Sequence, residues 1–194
     1  MYARTVSSPF DSSLRQFRFG SKVVAFAGSR RGSLPEPVTS SLVHAFYAMG
    51  HTFLTGCAQG VDGCFRQALT HHPFEQHAMV ACAFEYRTRR FPGLFSASVV
   101  PAGLSPAAAL HRRTVWLVRN CGLLVLFPSD PLSGRWGRGS TLAFRTALYH
   151  LKPVFCASVT PPPPSPLYRI FPASLFGIVF GFWAVPEGGP CEQE

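Results

Sequence analysis

The alternation of short apolar runs with glycine turns constrains this chain more than anything else in it. Residues 22–27 are almost entirely apolar and stop at Gly28-Ser29-Arg30. Residues 52–55 form a second run, which stops at Thr55-Gly56-Cys57-Ala58-Gln59-Gly60-Val61-Asp62. A third turn, Gly134-Arg135-Trp136-Gly137-Arg138-Gly139-Ser140-Thr141, follows the apolar run at residues 122–127. Unbroken apolar runs of this length are what parallel strands buried on both faces require. Each leads through glycine into an amphipathic stretch. The pattern predicts an α/β fold, a doubly wound, mostly parallel sheet with helices on both faces.

The remaining elements keep the rhythm. Pro35-Glu36-Pro37 opens a helix with Val38, Leu42, Ala45, Phe46 and Met49 on one stripe, and Gly50 ends it. Residues 63–70 read as a helix, 78–84 as a strand, and 96–100 as a fourth strand. Residues 106–120 read as a helix with Leu110, Thr114, Leu117, Val118 and Cys121 inward. A helix over 142–151 and a strand over 153–157 follow. The run Thr160-Pro161-Pro162-Pro163-Pro164-Ser165-Pro166 favours stiff polyproline II and marks a boundary. Three segments are therefore expected: a loosely ordered leader at 1–21, the α/β domain at 22–158, and a proline-rich linker with an appendage at 159–194. One edge strand is expected in the appendage.

Only 14% of the 194 residues are charged and 47% are hydrophobic, so the chain can bury a core of its own. The charge is lopsided, with 18 Lys+Arg against 9 Asp+Glu. Nearly all the basic residues are arginine, suited to bidentate phosphate contact and base stacking. A formal charge of +9 favours a polyanionic partner or an anionic ligand. The six cysteines (57, 64, 82, 121, 156 and 191) form no C-x-x-C pair and sit mostly in apolar runs. They read as buried thiols of a reducing, cytoplasmic setting. The first twenty residues have no apolar core of a signal peptide. Residues 170–186 are uncharged but interrupted by Pro172, Gly177 and Gly181, and read as a buried strand or docking segment, with no integral membrane span.

Several glycine turns at one sheet edge form a crevice in which backbone N–H groups and helix N-termini meet phosphate. The phosphate- or nucleotide-binding candidates are Gly28, Ser29, Arg30, Gly56, Gly60, Asp62, Gly137, Arg138, Gly139, Ser140 and Thr141. Asp62 reads either as a helix cap or as an acceptor for a ribose hydroxyl or base edge. Candidates for contact with a nucleic-acid strand are Arg31, Arg87, Arg89, Arg90, Arg135 and Trp136, with Trp136 or Phe91 stacking bases. The alternative for Arg87, Arg89 and Arg90 is a solvated face. His71, His72 and His111 are too scattered to predict a metal site.

In this order the motifs resemble the DprA/Smf and LOG superfamily of Rossmann-like domains, over about residues 22 to 158, and the DprA branch fits best. The DprA pattern S-G-x-A-x-G-I-D is matched from Thr55 to Asp62, with both glycines, the alanine and the aspartate kept. Its late pattern S-G-S-L-I-T-A-x-x-A is met by Gly139, Ser140, Ala147 and Leu148, with Val154-Phe155 as the strand beyond. An R-N-R triplet corresponds to Arg112-Arg113-Thr114, which adds Arg112 to the binding candidates.

The resemblance implies a binder of single-stranded nucleic acid or a nucleotide, with a homodimer left open and no cofactor expected. The rival is a LOG-type nucleotide N-glycosidase, alongside a nucleotide-sensing module. LOG enzymes resemble P-G-G-x-G-T-x-x-E, whereas Leu142-Ala143-Phe144-Arg145 here carries no acid. That omission leans the expectation away from catalysis and predicts no catalytic residue. The flanking helical domains of a full-length DprA are not expected in this chain.

Overall fold

The first apolar run becomes β1, Val23–Gly28, buried along nearly its whole length at the centre of an eight-stranded sheet. The computed structural model describes residues 22–129 and 135–187. The expected leader, Gly134 and Cys191 lie outside the described residues. Around β1 stand β2 (Thr52–Gly56), β3 (Ala78–Cys82), β4 (Phe95–Ser98), β5 (Leu123–Phe127) and β6 (Val154–Cys156). The order is β4-β3-β2-β1-β5-β6-β8-β7, and the first six strands are mutually parallel. The chain thus winds outward from β1 to β4, then returns to the other side of β1 at β5. That reversal between β1 and β5 opens a crevice at the carboxyl ends of the strands.

Among the described residues, four α-helices cover the sheet: α1 (Glu36–Ala48), α2 (Val61–Leu69), α3 (Pro106–Arg119) and α4 (Arg138–Tyr149). Phe26 of β1 anchors one face. Its ring stacks on Phe65 of α2 at 3.9 Å and meets Phe46 of α1 edge-on at 6.0 Å. Burying each such side chain contributes about 1.5–3 kcal/mol. On α1 the buried stripe is Thr39, Leu42, Val43 and Phe46. Met49 leaves the expected stripe, 58% exposed, because it lies past the last helical turn.

Helix α4 starts at Arg138, a turn earlier than the sequence led us to expect, so Gly139, Ser140 and Thr141 belong to its first turn. Glycine lowers helix propensity but is tolerated in that turn, where backbone N–H groups are left without helical partners. Beyond the proline run, the single edge strand gives way to two. Strands β7 (Tyr168–Leu175) and β8 (Val179–Pro186) form a hairpin, and β8 pairs antiparallel with β6. The uncharged stretch over 170–186 therefore extends the sheet. No helix among the described residues is long and apolar enough to cross a membrane.

Candidate functional site

Three glycine turns and one helix meet at the reversal between β1 and β5. The crevice has a volume of about 510 Å³. Gly28, Ser29, Arg30 and Arg31 line it from the end of β1, Ala58 and Asp62 from the turn after β2, and Gly137, Arg138, Gly139 and Ser140 from the start of α4. Leu110, His111, Arg113, Thr114 and Leu117 of α3 form the remaining wall. Nine of the residues expected at a binding site are thus brought together, although they are drawn from segments over a hundred residues apart.

Backbone contacts lock the turns to one another. The Ser29 N–H donates to the Phe127 carbonyl at 2.9 Å, and the Val61 N–H donates to the Ser29 carbonyl at 3.1 Å. Gly60 lies outside the crevice lining but holds this junction. Its φ of +73° is a left-handed conformation, and a Cβ there would run into the backbone of Ser29 and Arg30. Ser29 is buried, and its hydroxyl accepts from the Arg31 N–H at 3.2 Å. Ser140 is also buried, whereas Arg30, Gly137, Arg138 and Gly139 stand exposed at the rim.

The floor is different. Arg113 and Asp62 are both buried, and Arg113 Nη1 donates to Asp62 Oδ2 at 3.2 Å. The same oxygen accepts from the Ala58 N–H at 3.4 Å. Asp62 therefore does not stand at the helix cap, and its Oδ2 is already engaged. Gly60 occupies the cap position without a side-chain bond, and the carboxylate is held by a guanidinium. Gly56 makes room for this pair, since a Cβ there would overlap both the Arg113 guanidinium and the Asp62 carboxylate. Arg66 of α2 donates to the Gly56 carbonyl. Burial holds the Arg66 pKa below its usual value, with the Asp62 charge opposing the shift.

A thiol pair adjoins the floor. Cys57 follows β2 and Cys82 ends β3, both buried. A side-chain hydrogen bond with Cys82 pulls the Cys57 pKa down to about 5, and the charges of Arg113 and Arg87 add to this against desolvation. The same bond, with burial, pushes Cys82 up. No group of three or more His, Cys, Asp or Glu side chains among the described residues is arranged to hold a metal ion.

Other expected residues lie apart from the crevice. Arg112 is exposed and does not line it, while its neighbour Arg113 does. Thr141 turns its hydroxyl to the Gly137 carbonyl at 3.2 Å, a bond along its own helix. Trp136 is half-buried and meets Phe144 edge-on at 5.3 Å. Arg135, beside it, is exposed. Phe91 is covered by the Arg66 guanidinium at 4.5 Å. Arg87, Arg89 and Arg90 belong to a 3-10 turn, Glu85–Arg90, after β3, where Arg87 Nη1 donates to the Cys57 carbonyl at 3.3 Å.

Sequence reasoning missed Arg113 and Arg66. Arg113 had a signal: it sits four residues from Ala109 and four from Leu117, on the buried stripe of α3.

No family model and no curated protein matches the chain. Solved structures do. DNA processing protein A from Helicobacter pylori, described for its single-stranded DNA binding mode, matches at 19% identity with a TM-score of 0.52. The match covers 70% of this chain and 65% of that protein. DNA processing protein A (DprA) from Streptococcus pneumoniae matches at 17% identity with a TM-score of 0.51, over 80% of this chain and 53% of that one. The chain thus spans between half and two thirds of the length of these proteins. The chain has the Rossmann-like fold of DprA, as the motifs implied.

Proposed function

We propose that this chain binds single-stranded nucleic acid in the manner implied by its likeness to DprA, with phosphates seated in the crevice between β1 and β5. The observation that carries the reading is the convergence of three glycine turns, the third of them the start of α4, and the exposed Arg30 and Arg138 on one concave surface. At Gly137 and Gly139 nothing lies within 4 Å of where a Cβ would stand, so the backbone is open to close approach. They sit at a helix N-terminus, where an anion is favoured by both hydrogen bonding and the dipole. Arg113 Nε is buried without a hydrogen-bond partner among the described residues, a donor that an anionic ligand satisfies.

Among the described residues lining the crevice, Asp62 is the one carboxylate, and its Oδ2 is engaged by Arg113. A general base needs a carboxylate able to reach a proton, so the arrangement favours binding over N-glycosidic hydrolysis. The five described cysteines are free thiols, in keeping with a reducing, cytoplasmic setting.

The test is fluorescence anisotropy with a labelled oligothymidylate across a salt series. Binding should weaken steeply with salt, with a slope of about 0.7 for each phosphate neutralised. Tight, salt-insensitive binding of a mononucleotide with no gain from longer oligonucleotides would replace this reading with that of a small-ligand sensor.

A further inference from the structure

The carboxyl edge of the sheet carries a second hollow, beyond the crevice, over the ends of β3 and β4. Its volume is about 990 Å³, and its walls include Phe84, Tyr86, Val99, Val100 and Leu104. Helix α3 separates the two: Ala109 borders the hollow, while Leu110 and Arg113 border the crevice.

The lip of this hollow interleaves aromatic rings with cations. Tyr86 stacks on Phe84 with centroids 5.5 Å apart and planes 20° apart, yet remains 57% exposed. The Arg90 guanidinium lies 5.5 Å from the Tyr86 centroid, and that of Arg87 lies 5.6 Å from Phe84. Glu85 is the one acid in the turn that holds these arginines. A tyrosine recruited for the core would be buried, and a plain solvated charge run would not stack its rings in order.

The lip is also tied to the crevice. Arg87 Nη1 donates to the Cys57 carbonyl, and the next residue, Ala58, lines the crevice. Arg87 Nε is buried without a hydrogen-bond partner among the described residues. The arginine-bearing turn beside the hollow is therefore hydrogen-bonded to the segment that enters the crevice. A ligand that is anionic along its backbone and flat and apolar at its side groups fits both.

We propose that the hollow is a base-stacking subsite for a single strand whose phosphates lie in the crevice, with Tyr86 as the stacking platform and Arg87 and Arg90 on the backbone between. This rests on the function proposed above and adds its substrate class: a strand long enough to reach both surfaces, as opposed to a mononucleotide. Unpaired bases gain their stacking energy irrespective of sequence, so the subsite confers length preference without sequence preference.

The experiment compares thymidine monophosphate with oligothymidylates of increasing length, bound to wild type, Tyr86→Ala, Tyr86→Phe, Arg90→Ala and Arg138→Ala. Tyr86→Ala should weaken long oligonucleotides about tenfold and leave the monophosphate unchanged. Tyr86→Phe should restore the long-strand affinity, which a merely charged margin would not require. An iodouracil-bearing oligonucleotide should photocrosslink at Tyr86. If Tyr86→Ala and Arg90→Ala bind every length as wild type does while Arg138→Ala is weakened, the subsite is overturned and the crevice reading stands. If wild type binds no oligonucleotide of any length, both fall together.

Discussion

The turn that begins at Gly56 and the turn at Gly137 to Ser140 both lead through glycine into a helix at the crevice, and they work in opposite ways. At Gly56 the space beside the backbone is filled by the chain itself. The Arg113 guanidinium and the Asp62 carboxylate occupy the place of a side chain, and Arg66 caps the carbonyl. At Gly137 and Gly139 the space is open, and the arginine beside them faces solvent. The first turn spends its polar groups on the fold, and the second leaves them for a ligand. Motif chemistry thus identifies a region, while occupancy of the space around each glycine separates scaffold from site.

The sharpest way to break this contrast is to disturb the closed turn. Gly56→Ala and Asp62→Ala should each cost about 3–5 kcal/mol, the cost of breaking a buried ion pair and stranding its partner. A urea midpoint that falls at unchanged slope would register the loss. Asp62→Ala that keeps full stability and loses only ligand would transfer Asp62 to the binding surface.

At the open rim the expectation reverses. Arg30→Ala and Arg138→Ala should leave the thermal midpoint where it is and weaken oligonucleotide binding, each flattening the salt slope by about 0.7. Anisotropy titrations at several salt concentrations measure both quantities. A drop in melting temperature equal to that of Asp62→Ala would erase the distinction between rim and floor.

Gly139→Ala is a finer probe. Alanine is favoured over glycine in a helix by up to about 1 kcal/mol, and no neighbour obstructs the new methyl group. Stability should hold or rise slightly while affinity falls, because the methyl group crowds the N–H groups that meet phosphate. Calorimetric unfolding beside a binding curve separates the two effects.

A further contrast is the pH dependence set by Cys57. Its folded pKa of about 5 lies below the ordinary thiol value of 9.0, so the thiolate stabilises the fold fully above the unfolded value. That contribution should fade as pH falls from about 9 through about 5, and it should be missing in Cys57→Ala. Cys82, shifted upward, alters stability only above the ordinary thiol range. Unfolding midpoints of the two proteins that run parallel across this range would remove Cys57 from the electrostatics of the floor.

Most of the fold was legible because strand burial and glycine turns are local signals. Residues 22–27, 52–55, 78–84, 122–127 and 153–157 gave strands within a residue or two at either end. The helix start at Arg138 was not, because a first turn containing Gly139 reads as loop until the turn is seen to open a crevice. Nor was the second strand of the hairpin, since its partners β6 and β7 are known only once register is known. The edge-on contact of Trp136 with Phe144 was not legible either, since nothing local links the two rings.

The sequence by itself determined the alternation of strand and helix, the positions of the glycine turns and the excess of arginine. All three follow from the residue types and their spacing along the chain, with no knowledge of what lies opposite. Only the tertiary structure decided which charges face one another. Asp62 and Arg113 are separated by 51 positions and meet because the chain reverses between β1 and β5. Whether a charged group stabilises a fold or greets a ligand depends on its nearest opposite charge and its access to water, and both are set in three dimensions.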